Sequence, residues 1–455
     1  MLVSITVVIC KMAAFLTRRL MRGGGQALPG LLADYLDPHL AGKLAAQLPQ
    51  GVILVTGTNG KTTTTKVLVG SLEAAGETVI TNSTGSNLKR GVTSALLGAA
   101  SWRGKLRGTM AAMEVDEASL RRVTKDIQPR LIVVLNLFRD QLDRYGELDT
   151  TAALIGEGIA QTSADVLLNA DDPLVASLAT YAQDGANVQY FGIEGMESGQ
   201  TAIATATDTD RCPRCHERLT FSRTFYGHIG HYHCVHDGYK RPHPDVAITS
   251  TSEMGLHGSR FEVSILGKRQ SLQFALAGVY NLYNALAVVG ALAMVTGSVQ
   301  SAVKVLAETE AAFGRVERIK YRDRTLCLLL IKNPAGFTQV VQTFLAGRPR
   351  LAVLVIINDL DADGRDVSWL WDVPLEVLRP DEPRVFVSGI RAADMAVRFK
   401  YAGIPAEGVV DVPVGVESLI AASHPGDEVY ILPTYTAMTK TRNMLSKLTR
   451  IKPIS

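Results

Sequence analysis

The sequence predicts an α/β protein: a P-loop domain with a doubly wound parallel sheet, a small zinc-ribbon-like insertion, and a C-terminal Rossmann-like α/β domain. Short apolar runs alternate with longer helix-like stretches from about residue 45 to 205 and again from about 315. That is the pattern of parallel strands joined by crossover helices. A glycine-rich turn, Gly57-Thr58-Asn59-Gly60-Lys61-Thr62, follows the apolar run Val52-Ile53-Leu54-Val55 and opens a helix-like segment. Residues 207–245 break the alternation with cysteines, histidines and aromatics. The division that results is an N-terminal helical segment and linker over 1–45, a P-loop domain over 46–314 carrying the insertion, and a second α/β domain over 315–455.

A length of 455 residues, 47% of them hydrophobic and 20% charged, suits two or three domains with sizeable cores. The net charge of +3 gives no whole-molecule argument for nucleic acid, although Arg211, Arg214, Arg218 and Arg223 lie among aromatics in the insertion. Three of the five cysteines cluster, which reads as metal binding in a reducing compartment and not as a disulfide framework. The apolar run at the N-terminus reaches only Cys10 before Lys11, too short to span a bilayer. Its basic residues Lys11, Arg18, Arg19 and Arg22 follow the apolar run, whereas a signal peptide places them before it. The expectation is a cytoplasmic protein with a docked amphipathic N-terminal helix, peripheral contact with the inner face of the membrane being the alternative. Residues 23–30, GGGQALPG, read as a linker.

The glycine turn has the chemistry of a phosphate cradle. Backbone N–H groups of Gly57, Thr58, Asn59 and Gly60 and the positive end of the following helix dipole face an anion. Lys61 can reach the β/γ-phosphates of a nucleotide, the Thr62 hydroxyl can ligate Mg²⁺, and Thr63 continues the first turn. Val67, Leu68, Leu72 and Ala75 share one face of the helix, and Gly76 is its C-cap. Further strands are expected at Thr78–Thr81, Met110–Met113, Leu131–Leu135 and Asp165–Leu168, with polar residues Glu114, Asn136 and Asn169 at their ends. Ligands of open α/β sheets bind at carboxyl ends of strands. Glu114 can hold Mg²⁺ there, with Asp116 and Glu117 as competitors. Asn136, Asp140 and Asp143 either position metal or shape their loop. A helix is expected over Asn281–Val295.

Within the insertion, Cys212-Pro-Arg-Cys215 is a C-x-x-C knuckle, and Cys234 follows at zinc-ribbon spacing. Asp237 can supply the fourth ligand, with His236 or His233 as substitutes. The alternative is a metal-free ribbon held by Phe221, Phe225, Tyr226 and Tyr232. In the second domain, strands are expected at Leu326–Ile331, Leu351–Ile357, Val385–Ser388, Val409–Val410 and Val429–Leu432. The second of these runs into an acid-rich loop: Asn358, Asp359, Asp361, Asp363, Gly364, Arg365 and Asp366. It is not a calcium loop, because the twelfth position from Asp359 is Leu370.

Taken together, TGTNGKTTT (56–64), TGSNL (84–88), Glu114, NLFRDQLD (136–143), NADD (169–172), GVYNLYNALA (278–287) and FGRVERI (313–319) resemble the Mur ligase superfamily. KNPAGFTQV (332–340), NDLDADGRDVSWLWD (358–372), LPTYTAM (432–438) and the cysteine-bearing insertion narrow the likeness to the MurT-type subunits of lipid II isoglutaminyl synthase. The resemblance implies an ATP- and Mg²⁺-dependent carbon–nitrogen ligase that works through an acyl-phosphate, with a GatD-type glutaminase subunit as partner and lipid II as substrate. It assigns Asn281 and Asn284 to adenine, Asn169 and Asp172 to the nucleotide side, and Arg315 to the phosphates. A helix cap and a surface charge are the plainer roles for Asn281 and Arg315. Lys61 and Glu114 would act in catalysis, and Asp363 or Asp366 would complete the partner's glutaminase site. Two departures stand out. Gln141 replaces a histidine that helps hold a second Mg²⁺ in many Mur ligases, and no lysine occurs between Tyr145 and Val166. Asp237 also stands where related subunits usually carry a fourth cysteine. The alternative activity is that of a single-chain Mur-type or folylpolyglutamate-synthase-like ligase.

Overall fold

The computed structural model describes residues 2–20, 28–82, 86–139, 148–196, 209–255, 258–309, 317–409 and 411–448. Contacts divide the chain into two compact units, one formed by Met1–Phe138, Glu147–Ala202 and Thr209–Thr309, the other by Arg139–Gly146, Ile203–Asp208 and Glu310–Ser455.

In the first unit, β1 (Val52–Thr56), β2 (Val79–Ile80), β3 (Met110–Glu114), β4 (Leu131–Val134), β5 (Asp165–Asn169) and β6 (Val188–Ile193) are the parallel strands of one sheet. β7 (Thr220–Tyr226) and β8 (Ile229–His233) form a separate hairpin, and β9 (Val246–Gly255), β10 (Gly258–Ile265) and β11 (Lys268–Phe274) return to the sheet. The strand order is β11-β10-β9-β6-β5-β4-β1-β3-β2, with β9 parallel to β6 and the last two strands antiparallel. Every residue of β1 is buried, as a near-continuous apolar run demands when both faces of a parallel strand are covered.

The helix Lys61–Ala74 follows β1 and ends as the sequence predicts, with Gly76 at φ +96° donating its N–H to the Glu73 carbonyl. The Val279–Thr296 helix is long and apolar enough to cross a membrane, but its residues from Asn281 to Leu292 are buried, and it packs on the Lys61–Ala74 helix and β6. It is a core helix.

The expected strands β2 to β5 form within a residue or two of their bounds. β6 and β9–β11 were not foreseen. β10 alternates buried and open positions over its middle, the mark of a half-covered antiparallel strand. The N-terminal helix Leu2–Leu20 is docked as expected, with Val7 and Cys10 in the same core as Leu40, Leu44 and Leu96. The linker expectation is corrected in part: Leu28, Pro29 and Gly30 begin the helix Leu28–Leu36, and residues 21–27 lie outside the described ones.

The second unit holds β12 (Glu317–Tyr321), β13 (Arg324–Leu328), β14 (Ala352–Ile356), β15 (Arg384–Ser388), β16 (Ala406–Gly408) and β17 (Glu428–Pro433). Their order is β12-β13-β17-β14-β15-β16, parallel throughout except for the β12–β13 hairpin. The strand expected at Val409–Val410 is instead β16; Val409 still donates its N–H to Val387, and Val410 lies outside the described residues.

Gly30 marks a close crossing. Its N–H bonds the Ser94 hydroxyl at 3.0 Å, and a Cβ there would stand 2.0 Å from the Arg90 carbonyl oxygen. Gly98, in the same helix as Arg90, has nothing within 4 Å of such a Cβ. Gly30→Ala should therefore destabilise by about 1–3 kcal/mol, while Gly98→Ala should be neutral or stabilising by up to about 1 kcal/mol. Urea unfolding of the two variants checks the contrast.

Candidate active site

β1 lies between β3 and β4, so the loop leaving its carboxyl end occupies the point where strand order reverses. Asn136, just beyond β4, sets the loop's shape. Its carbonyl accepts the Thr58 N–H at 2.9 Å, its Oδ1 accepts the Asn59 N–H at 2.9 Å, and its Nδ2 donates to the Asn59 carbonyl at 3.0 Å. The Thr58 hydroxyl adds a reciprocal pair, donating to the Phe138 carbonyl at 3.1 Å and accepting its N–H at 3.0 Å. Gly60 sits at φ +93°, and a Cβ there would stand 2.1 Å from Asn284 Oδ1. The resemblance placed Asn281 and Asn284 near the nucleotide, and the structure brings both to the start of the P-loop helix. Asn284 Oδ1 accepts from the Thr64 hydroxyl at 3.3 Å, its Nδ2 donates to Asn281 Oδ1 at 3.0 Å, and Asn281 Nδ2 donates to the Ala277 carbonyl at 2.7 Å.

Lys61 is buried, donating to the Gly57 carbonyl at 2.6 Å and forming an ion pair with Glu117 Oε1 at 3.1 Å. Glu117, weighed in the sequence as a metal ligand, is thus the partner of the loop lysine. Thr62 is exposed in the helix's first turn and Thr63 is buried beside it. Glu114 ends β3 opposite Val55, half-buried, its backbone fixed by the Asn82 amide at 2.9 and 2.7 Å. An exposed hydroxyl and a partly open carboxylate beside one loop are hard oxygen donors of the kind Mg²⁺ takes.

Asn169 and Asp172 lie at the end of β5 and are completely buried. Asn169 Nδ2 donates to the Leu135 carbonyl at 2.9 Å. Asp172 accepts the Leu137 N–H at 2.8 Å and caps the helix Pro173–Ser177 through the Leu174 and Val175 N–H groups. Both side chains fasten the ends of β4 and β5 together, which makes them positioning residues in this arrangement. Asp140, Gln141, Asp143 and Arg315 lie outside the described residues.

The insertion reaches the same strand ends. His228, at the tip of the β7–β8 hairpin, is wholly buried 3.5 Å from Asp172 Oδ2, its ring centroid 4.7 Å from that of Phe138. Neither of its ring nitrogens has a hydrogen-bond partner. Asp171, which the sequence reading passed over, accepts from the Tyr283 hydroxyl at 2.6 Å and from the Ile193 N–H at 2.8 Å, and it pairs with Arg241. The one signal for it was the doubled aspartate of NADD. At the base of the hairpin, one ligand atom from each of Cys212, Cys215, Cys234 and Asp237 lies within 4.8 Å of the others. Cys215 Sγ and Cys234 Sγ are 3.5 Å apart, and Cys212 Sγ is 3.4 Å from an Asp237 oxygen. A tetrahedron with Zn–S bonds of about 2.3 Å has edges of roughly 3.7 Å, so the four donors suit that ion. Asp237, favoured in the sequence over His233 and His236, is the carboxylate in the cluster.

In the second unit, three sequence motifs converge at the carboxyl ends of β14 and β17. Asp363 accepts the Thr436 N–H at 2.8 Å and its hydroxyl, along with the Leu360 N–H at 3.3 Å. Trp369 stands edge-on to Phe337, and Asn333 caps the Pro334–Val340 helix. Asp363 is therefore a staple within the loop. Asp366 is half-buried and uses Oδ1 to accept the Ser368 N–H at 2.8 Å.

Two family models match the chain: the Mur ligase middle domain over residues 55–229 and the MurT ligase C-terminal domain over 330–438. Among curated proteins, the lipid II isoglutaminyl synthase subunit MurT of Streptococcus pneumoniae is 36% identical over 93% of this chain and 93% of its own length. The chain belongs to the MurT family. The Staphylococcus aureus MurT subunit is 31% identical over 94% of the chain and 93% of that protein. Among solved structures, a pseudomurein peptide ligase type C from Methanothermus fervidus superposes with a TM-score of 0.70 at 22% identity, covering 88% of this chain and 79% of that one. That likeness shows the Mur ligase-like α/β fold, as the sequence predicts.

Burial pushes the Cys212 thiol up and the Cys215 thiol up to about 12, so without metal both stay protonated at neutral pH. The Tyr239 N–H, followed by contacts with the cysteine thiols, holds Asp237 down at about 2. A metal that takes these groups must displace thiol protons, not the carboxyl's. Zinc uptake should therefore release protons and strengthen as pH rises from 6 to 8, and Asp237→Asn should weaken it without changing the proton count. Calorimetry in buffers of different ionisation enthalpy measures both.

Proposed function

We propose that this chain is the ATP-using synthetase subunit of a glutamine-dependent amidotransferase that amidates the α-carboxylate of D-isoglutamate in the lipid II stem peptide. Its partner would be a GatD-type glutaminase subunit, and its working compartment the cytoplasm. The observation that carries the reading is the P-loop, shaped by Asn136 and closed by a buried Lys61, in a chain resembling a MurT subunit over 93% of its length.

On this reading each of the placed residues has a role. The N-terminus of the Lys61–Ala74 helix, with the loop N–H groups that Asn136 does not occupy, would bind the phosphates, and a phosphate arriving there competes with Glu117 for Lys61. Asn281 and Asn284 border the loop as the adenine side, while Asn169 and Asp172 support it from behind. Thr62 and Glu114 would hold Mg²⁺, which supplies positive charge against the phosphate oxygens. The α-carboxylate oxygen attacks the γ-phosphorus and ADP leaves. Ammonia then attacks the acyl carbon, phosphate leaves, and loss of a proton gives the amide. Lys61 stabilises negative charge building on the transferred group. Cys212, Cys215, Cys234 and Asp237 would close a structural zinc site.

A single-chain ligase that joins an amino acid is the competing reading, and product formation with ammonia against amino acids separates the two. Lys61→Ala leaves the Glu117 carboxylate buried without its partner, which costs stability as well as turnover. The cleaner test pairs it with Glu117→Gln. The double variant should remain folded and lose about 10²–10³-fold in ATP turnover; unchanged turnover removes the cradle assignment. Of the two loop aspartates, Asp366 is the one not tied on both oxygens, so Asp366→Asn should abolish amidation with glutamine and spare amidation with free ammonia. Asp363→Asn, which cuts the loop's staple, should lower stability by about 1–3 kcal/mol, readable by thermal unfolding.

A further inference from the structure

The N-terminal helix turns one apolar face inward and leaves a second one open. Thr6, Val7 and Cys10 are buried, whereas Ile5, Ile9, Met12 and Phe15 are between 43% and 61% exposed. At 100° per residue the exposed four fall within an arc of about 120°, a continuous stripe opposite the docked face. Four large apolar side chains in one row differ from the scattered exposed residues of an ordinary surface.

A second element stands next to the stripe. Lys11, on the same helix, donates to the Ala100 carbonyl and lies 5.7 Å from the centre of the Trp102 ring, which is 58% exposed. Trp102 is carried on a rigid turn. The Ser101 N–H donates to the Lys105 carbonyl, the Ser101 hydroxyl accepts the Lys105 N–H, and Gln47 bonds both the Gly104 carbonyl and the Leu106 N–H. The turn also presents Arg103, Lys105 and Arg107, all exposed.

Charge tells what this face meets. Residues 1–33 contain Lys11, Arg18, Arg19 and Arg22 and no acid; residues 78–113 contain Lys89, Arg90, Arg103, Lys105 and Arg107 and no acid. Lys89 is paired with Asp126 and Asp34, but the Trp102 turn has no acidic residue within it. An apolar stripe, an indole at its border and basic residues around it match the interface of an anionic bilayer, where indoles sit at headgroup level and Lys and Arg meet lipid phosphates. A second copy of the chain is a poor occupant, because a two-fold contact would bring the same basic turn against itself.

We propose that the Ile5–Phe15 stripe and the Trp102 turn form a peripheral membrane-binding surface that holds the chain on anionic lipid. The surface stands on its own residues, and its purpose, bringing the enzyme to a membrane-anchored substrate, rests on the reading above. Flotation of the full-length chain with phosphatidylglycerol/phosphatidylethanolamine vesicles, against phosphatidylcholine vesicles, tests it with no substrate present. Binding to the anionic vesicles should be at least tenfold greater and should fall in 1 M salt. Ile9→Glu with Phe15→Glu should reduce it at least tenfold while ATP binding, the check on folding, is unchanged. Lys105→Glu with Arg107→Glu, confined to the exposed turn, should erase the preference for anionic lipid. The stripe variant should also lose at least tenfold in amidation of vesicle-embedded substrate and nothing with a stem peptide lacking the lipid. Absence of flotation, equal flotation of the variants, or a stripe variant that changes only self-association or capture of a partner subunit overturns the proposal. If the vesicles bind and no amidation occurs with either substrate, the catalytic reading fails and the surface stands.

Discussion

The first unit depends on how one side chain satisfies the turn after β1. A glycine turn outside the sheet ladder must have its backbone groups satisfied by something else. Asn136 does this with three bonds, one from its backbone and two from its amide. An amide is the side chain for the task because it donates and accepts at one position. Asn284 closes the turn from the other side, so tightly that only glycine fits at position 60. With the loop so restrained, the first turn of the following helix is placed, and the Lys61 amine is held by Glu117 and the Gly57 carbonyl.

Behind the loop lies a buried polar layer that ties the insertion to the carboxyl ends of the strands. Thr58 bonds the Phe138 backbone, the Phe138 ring packs against His228 and Tyr226, and His228 faces Asp172, which fastens the strand-end turns. Asp171, Tyr283 and Arg241 continue the layer to the base of the hairpin. Burial pushes the hydroxyls of Tyr226 and Tyr283 well above their usual range, so both stay neutral, and Tyr283 donates to Asp171. The cluster of Cys212, Cys215, Cys234 and Asp237 at the hairpin's base is thus connected, through these contacts, to groups one contact away from the turn after β1.

Much of the edge could be read from residue order. A strand, a glycine turn and a lysine in sequence are a local pattern, and so are a C-x-x-C knuckle and a polar residue at the end of an apolar run. The missing parts share a cause. The pairing of Glu117 with Lys61 was not visible because the two lie 56 positions apart. Asp363 and Asp366 looked equivalent in the loop, and what separates them is Thr436, 73 positions beyond Asp363. β6 and β9–β11 escaped because half-buried strands carry weaker apolar runs than the covered strands of the sheet's centre.

By itself, the sequence determined the parallel strands at the centre of each sheet, the glycine turn and helix after β1, the C-x-x-C knuckle and, through its long motifs, the family. Each of these rests on neighbours along the chain: apolar periodicity, glycine at turns, ligand spacing. Only the tertiary structure decided which polar groups meet across those elements, which face of the N-terminal helix is covered and which is left open, and that the hairpin tip abuts the carboxyl ends of β4 and β5. Pairing and burial are set by distances between elements far apart in the chain, and no local pattern encodes such a distance.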